Sequence, residues 1–170
     1  DQPVVGDRDA VGVAAEVLQD LGGAGEGRLG VDDPVGCAEG REELAERRWL
    51  GEARDAKGMI NSNGRFPDMK GLTDHIHAKG LKAGIYTSPG PYTCAGHVAA
   101  WQHEEQDVRR FVEWGYDFLK YDWCSYNGVA KDQSVEELQK PYRLVSAILA
   151  KQPRDIVHNL CQYGMGNVWE

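Results

Sequence analysis

The stretch "HEEQDVRRFVEWGYDFLKYDWCSYN", His103 to Asn127, carries two periodicities back to back. Its first half sets Val108, Phe111 and Val112 on one face of a helix, which Gly115 closes. Its second half, "YDFLKYDW", reads as a strand, in which successive side chains point to opposite faces. Lys120 and Asp122 therefore share one face, and Tyr121 and Trp123 share the other. A cation and a carboxylate side by side at a strand end admit four readings. Asp122 is a nucleophile, a metal ligand, the partner of Lys120 in a structural ion pair, or the cap of a following helix.

The same alternation continues outward. Upstream, in "RFPDMKGLTDHIHAKGLKAGIYTSPGPYTCAG", Asp68 caps a helix with Met69, Leu72 and Ile76 on one face, and Gly80 stops it. "LKAGIYTSPGP" then gives a strand followed by a Pro and Gly turn. Downstream, Pro141 suits the first turn of a helix, "PYRLVSAILAK", before the strand candidate "RDIVHNLCQYG". Nearer the start, Val11, Ala14, Leu18 and Leu21 have helical spacing ended by Gly22 and Gly23. "GRLGVDDP" suggests a short strand running into Asp32 and Asp33, and a solvated helix around Glu42 to Arg48 leads into a turn. Helix and strand in this order predict parallel βα units, an α/β fold. Such folds keep their chemistry at the carboxyl ends of the strands. Four polar sets fall there: Asp32 and Asp33, Tyr86 to Cys94, Lys120 to Cys124, and Cys161 to Tyr163.

Composition narrows the class. A chain of 170 residues with 41% hydrophobic content is enough for one domain with a core, and its net charge of −8 gives no footprint for a phosphate backbone. Nucleic acid is not an expected partner. No apolar run is long enough to cross a membrane, and "DQPVVGDRDA" lacks the basic end and apolar core of a signal peptide. Cys37, Cys94, Cys124 and Cys161 match no zinc spacing, so buried thiols and at least one disulfide both stand as readings. His75, His77, His97, His103 and His158 form no spaced ligand set, and neither a metal nor another cofactor is expected. "SPGPYTCAG" and "LGGAGEGRLG" are turns rather than phosphate loops, and Ser125 has no evident hydrolase partners. Asp32 and Asp33 suit sugar hydroxyls, magnesium or an ordinary acidic turn. Tyr86, Trp123 and Trp169 suit either an apolar wall against a sugar ring or plain core packing.

Three blocks make the pattern specific: "RFPDMKGLTDHIHAKGLKAGIYTSPGPYTCAG", "HEEQDVRRFVEWGYDFLKYDWCSYN" and "LCQYGMGNVWE". From about residue 54 to the end the chain resembles the catalytic barrel of melibiase-type α-galactosidases, glycoside hydrolase family twenty-seven. The resemblance implies a (β/α)8 TIM barrel that removes terminal α-linked galactose with retention of configuration and without a metal. It implies that Asp122 is the nucleophile, that Lys120 bonds sugar hydroxyls and that Tyr86 lines the pocket. Cys94 and Cys124 match cysteines that join two loops beside the site. Asp32 and Asp33 match the pair that holds galactose hydroxyls, Trp169 falls among the substrate-binding positions, and Gln162 stands where some relatives carry Glu.

A full barrel takes about 250 residues, so the chain is expected to hold about half of one. Residues 1–53 are expected to form a divergent N-terminal barrel segment, and residues 54–170 a glycoside hydrolase segment truncated before closure. The family's second catalytic carboxylate falls beyond Glu170, in a missing segment or a complementary chain, so the isolated chain is expected to be inactive. The matched disulfide implies an extracellular or lysosomal-type oxidising compartment. Two alternatives accompany this reading: a β-L-arabinopyranosidase-like glycosidase, and a non-catalytic carbohydrate-binding remnant.

Overall fold

The computed structural model describes residues 49–51 and 53–167. The predicted helix at Val11 to Leu21, the strand into Asp32 and Asp33, the helix around Glu42 to Arg48, Cys37 and Trp169 lie outside these residues. The turn expected after Arg48 closes at Asp55, whose Oδ1 accepts from the backbone of Lys57 and Met59.

Helix α1 spans Met69–Ala78. Asp68 caps it by accepting from the Gly71 amide at 2.8 Å, which satisfies one of the donors a helix start leaves open. Met69, Thr73 and Ile76 are buried, with Leu72 packed beside them. At the other end Gly80 donates to the His77 carbonyl and Leu81 to that of Ile76, a Schellman closure. Gly80 adopts φ +75° there, a conformation that costs glycine nothing. Strand β1, Gly84–Thr87, follows.

Helix α2, Glu104–Trp114, has Glu104, Glu105 and Asp107 in its first turn, where the helix dipole favours negative charge. It ends at Gly115 in the left-handed region and leads into strand β2, Phe118–Asp122. Helix α3 spans Val135–Leu149 and strand β3 Val157–Cys161. The start of α3 corrects the expectation that Pro141 opens it. Ser134 caps the helix by accepting from the Glu137 amide, and Pro141 sits in the interior. "SVEE" already holds a Ser-x-x-Glu start signal, and it outranks a proline that removes a single donor in mid-helix.

The described strands form one parallel sheet in the order β1-β2-β3. The predicted βα alternation is therefore present as a parallel α/β arrangement. In β2, Leu119 and Tyr121 are fully buried, and the Tyr121 ring meets Tyr142 of α3 edge-on at 5.9 Å. Trp49 packs edge-on against Phe111 and Trp114 of α2 at 6.4 and 6.0 Å. Each such aromatic pair adds about 0.5–1.5 kcal/mol beyond its area burial. Lys120 and Asp122 occupy the opposite face of β2, as the alternation requires.

Two charged clusters fix the frame around the sheet. Arg54 holds Asp107 through two 2.6 Å bonds and donates to the carbonyls of Gly58 and Ala99, so one guanidinium ties two loops to α2. Burial pushes the Asp107 carboxyl upward against the pull of Arg54. At the amino ends of the strands Asp117 meets His77 at 2.6 Å, the Ala83 amide at 2.9 Å and Arg154 at 2.5 Å. Burial works to raise the Asp117 carboxyl, and these partners together hold it below its ordinary value.

Candidate active site

The carboxyl ends of the three strands converge because the register is in line. Tyr86 pairs with Lys120, Lys120 with Asn159, and Asp122 with Cys161. Tyr86, Lys120 and Asp122 are thereby neighbours across two strands. The Lys120 ammonium lies 5.7 Å from the centre of the Tyr86 ring and 3.8 Å from Asp122 Oδ2. A cation at that distance from an aromatic face is attracted by the ring quadrupole.

Asp122 is 1% exposed, and its two oxygens differ in their surroundings. Oδ1 accepts from the Trp123 amide and from the Tyr163 hydroxyl, each at 2.7 Å. Oδ2 faces Lys120. No helix starts at Asp122: the next turn, Tyr126–Gly128, is entered through Ser125. The helix-cap reading is thereby set aside. Cys94, Asp122 and Cys124 lie within ligand distance of one another, but the two sulfurs are bonded to each other and offer no thiolate pair to a metal.

The Cys94–Cys124 disulfide joins the loops that follow β1 and β2, with Cα atoms 5.1 Å apart. Tyr86 contributes its hydroxyl 3.3 Å from Cys124 Sγ. Close loop contact depends on Gly90, where a Cβ would collide with the Cys124 carbonyl and with Ser125. Ser125 takes a left-handed φ of +57°, which turns its hydroxyl to donate to the Tyr92 carbonyl and accept from the Tyr92 amide. Ser125 thus has a structural task, consistent with its lack of hydrolase partners.

Trp123 belongs to the core rather than to an aromatic wall. It is buried, stacks on Tyr142 at 5.9 Å and donates from its indole to Asn127. Gln162 is half-buried just past β3, and its amide oxygen accepts from the Gly164 amide within the turn. Asp32, Asp33 and Trp169 lie outside the described residues.

The sequence places Tyr163 and Gly90 at strand ends without showing their contacts, and gives no sign of the Arg54–Asp107 pair. "SPGP" marks a turn without marking which glycine another loop touches. Arg54 and Asp107 are 53 positions apart, beyond any local pattern. "QYG" signals a turn at Tyr163 and carries no sign that the phenol reaches back to Asp122.

Parallel strands joined by helices, with a carboxylate, a cation and a disulfide-tied pair of loops at the strands' carboxyl ends, define an α/β protein of the class whose candidate site is sought at those ends. Residues 44–169 match the family described as Alpha galactosidase A, and the chain belongs to that family. Alpha-galactosidase A of Cellvibrio japonicus is 37% identical over 124 residues, covering 72% of this chain and 29% of the relative. Alpha-galactosidase of rice, Oryza sativa, is 36% identical over 134 residues, covering 71% and 30%. Among solved structures, the Saccharomyces cerevisiae α-galactosidase with raffinose superposes with a TM-score of 0.63 at 32% identity, covering 69% of this chain and 26% of that one. Alpha-galactosidase I of Mortierella vinacea gives 0.61 at 35% identity, covering 66% and 28%. The chain spans under a third of the length of these four relatives.

Proposed function

We propose that this chain supplies the nucleophile side of a retaining α-galactosidase site, acting on terminal α-linked galactose in oligosaccharides or glycoconjugates. The observation that carries the reading is the buried Asp122 carboxylate at the end of β2, with one oxygen held by Trp123 and Tyr163 and the other turned to Lys120. In a retaining glycosidase one carboxylate attacks the anomeric carbon, and a second carboxyl group about 5–5.5 Å away protonates the leaving oxygen and later activates water. Asp122 takes the first role. Lys120 orients sugar hydroxyls, Tyr86 forms part of the pocket wall, and Gln162 offers its amide to a hydroxyl. Asp32, Asp33 and Trp169 complete the sugar contacts.

The three described parallel strands and the helices between them are an arc of a (β/α)8 barrel, about half of which the chain contains. Residues 1–53 form its divergent opening segment and residues 54–170 the glycoside hydrolase segment. The remaining strands and the second carboxyl group come from a further segment or a complementary chain. Exposed Val157 and Leu160 on β3 support this, since apolar side chains at a sheet margin are ordinarily covered. The disulfide supports work in an extracellular or lysosomal-type oxidising compartment.

The test is trapping. A slow fluorinated galactosyl fluoride, incubated with the complete protein and followed by peptide mapping, is expected to leave the sugar on Asp122. Asp122→Asn is expected to reduce turnover of an aryl α-galactoside by orders of magnitude while the protein stays folded. Label on another residue, or turnover that survives the substitution, refutes the reading.

A further inference from the structure

The turn after β3 is unusual in its backbone. Tyr163 has φ +55° and Gly164 φ +74°, so both central residues of the turn closed by Met165 N–H to the Gln162 carbonyl are in the left-handed region. Primed turns require this, and glycine, asparagine and aspartate adopt it readily. Tyrosine is an uncommon occupant at positive φ. The Gln162 side chain braces the turn by accepting from Gly164. The outcome of this backbone cost is a long-range contact: the Tyr163 hydroxyl crosses 41 positions of sequence to donate to Asp122 Oδ1 at 2.7 Å. Backbone strain of this kind persists where surrounding structure over-determines it, often at working sites.

We propose that Tyr163 is a positioning residue that selects the attacking oxygen of Asp122. This rests on the nucleophile reading above. The phenol and the Trp123 amide together occupy Oδ1 and fix the carboxylate plane. Oδ2, beside Lys120, is then the oxygen that forms the bond to the anomeric carbon. With a galactosyl fluoride the step balances simply: the Oδ2–C1 bond forms, the C1–F bond breaks, and fluoride departs with the electron pair. No proton is required of a second carboxyl group for this half-reaction. A hydrogen bond to a charged group is stronger than a neutral one, so its loss frees the carboxylate to rotate and reduces the fraction in attacking geometry.

The geometry also leaves a mark on the phenol itself. Desolvation, then the bond to Asp122 and its charge, with smaller contributions from Cys161, raise the Tyr163 hydroxyl above its ordinary value. This gives a readout that loop packing alone does not move.

Two measurements test the proposal in the complete protein. Inactivation by the fluorinated galactosyl fluoride is compared between the unaltered protein and Tyr163→Phe. The rate constant at saturation is expected to fall about tenfold, the order of one charge-assisted hydrogen bond, with the half-saturating concentration unchanged. Titration of the Tyr163 ring carbons by NMR is compared between the unaltered protein and Asp122→Asn, and the phenol midpoint is expected to fall in the variant. Label on Asp122 at equal rates in both proteins overturns the inference and leaves the nucleophile assignment standing. So does a Tyr163 midpoint that ignores Asp122→Asn. Absence of label from Asp122 in the unaltered protein defeats the nucleophile assignment and this inference together.

Discussion

Gly90 and Arg54 decide more of the site's frame than their side chains suggest. At Gly90 a methyl group meets the Cys124 carbonyl and Ser125, neither of which moves without disturbing the disulfide-tied loops. Gly90→Ala is expected to destabilise the protein by about 1–3 kcal/mol through overpacking, read as a lower denaturant midpoint, and to slow closure of the Cys94–Cys124 bond on refolding. Arg54 is the partner of a carboxylate that is 1% exposed. Removing one member of such a pair leaves a buried charge uncompensated, so Arg54→Met is expected to cost about 3–5 kcal/mol in equilibrium unfolding. Arg54→Met combined with Asp107→Leu is expected to recover much of that loss, because the second change removes the stranded charge. At this scale the sequence was uneven as a guide. Asp122 and Lys120 were legible because the strand period of two places them together. Tyr163 was not, because a side chain's return from a turn after another strand depends on backbone angles that no local pattern encodes.

The elements were more legible than the contacts between them. α1, α2 and the three described strands lie where apolar spacing and glycine stops put them, since those signals act within one element. The start of α3 departs from the expectation at Pro141 because the Ser134 cap sets the boundary. β3 carries the element-level prediction. Burial lowers the His158 imidazole to about 4, from an ordinary value of 6.5, by penalising its charged form. The folded state therefore binds the proton less readily than the unfolded chain. Stability from this group is full above pH 6.5 and is lost as pH falls toward 4. Denaturant titrations across that window are expected to show declining stability, and His158→Asn is expected to flatten this part of the curve. An equally steep decline in the variant would assign the effect to other groups.

At the scale of the whole molecule, parallel βα organisation was readable because it follows from the order of elements, and the sheet order β1-β2-β3 bears it out. The pairing of Cys94 with Cys124 was not fixed by spacing, which left thiols and disulfides equally open; their loops each follow a strand candidate, which brings the two cysteines near one another, and the family pattern joins them. With a sequence separation of 30, the bond restricts the unfolded chain by about 3–4 kcal/mol on loop-entropy grounds. Unfolding of the oxidised protein against Cys94→Ser/Cys124→Ser is expected to differ by up to that amount, and non-reducing peptide mapping is expected to recover the two cysteines linked.

That bond also has a consequence for biosynthesis. Tyr86, Lys120, Asp122 and both sulfurs come from a single β-helix-β segment, β1 through the loop after β2. A ribosome that has released the chain a little past Cys124 has already delivered every part of this corner. Oxidative closure can then precede the emergence of α3 and β3, so that later strands dock against a corner already locked in shape. Pulse-labelled chains stalled shortly after Cys124 has left the exit tunnel would carry the crosslink, whereas chains stalled with Cys124 still inside it would not.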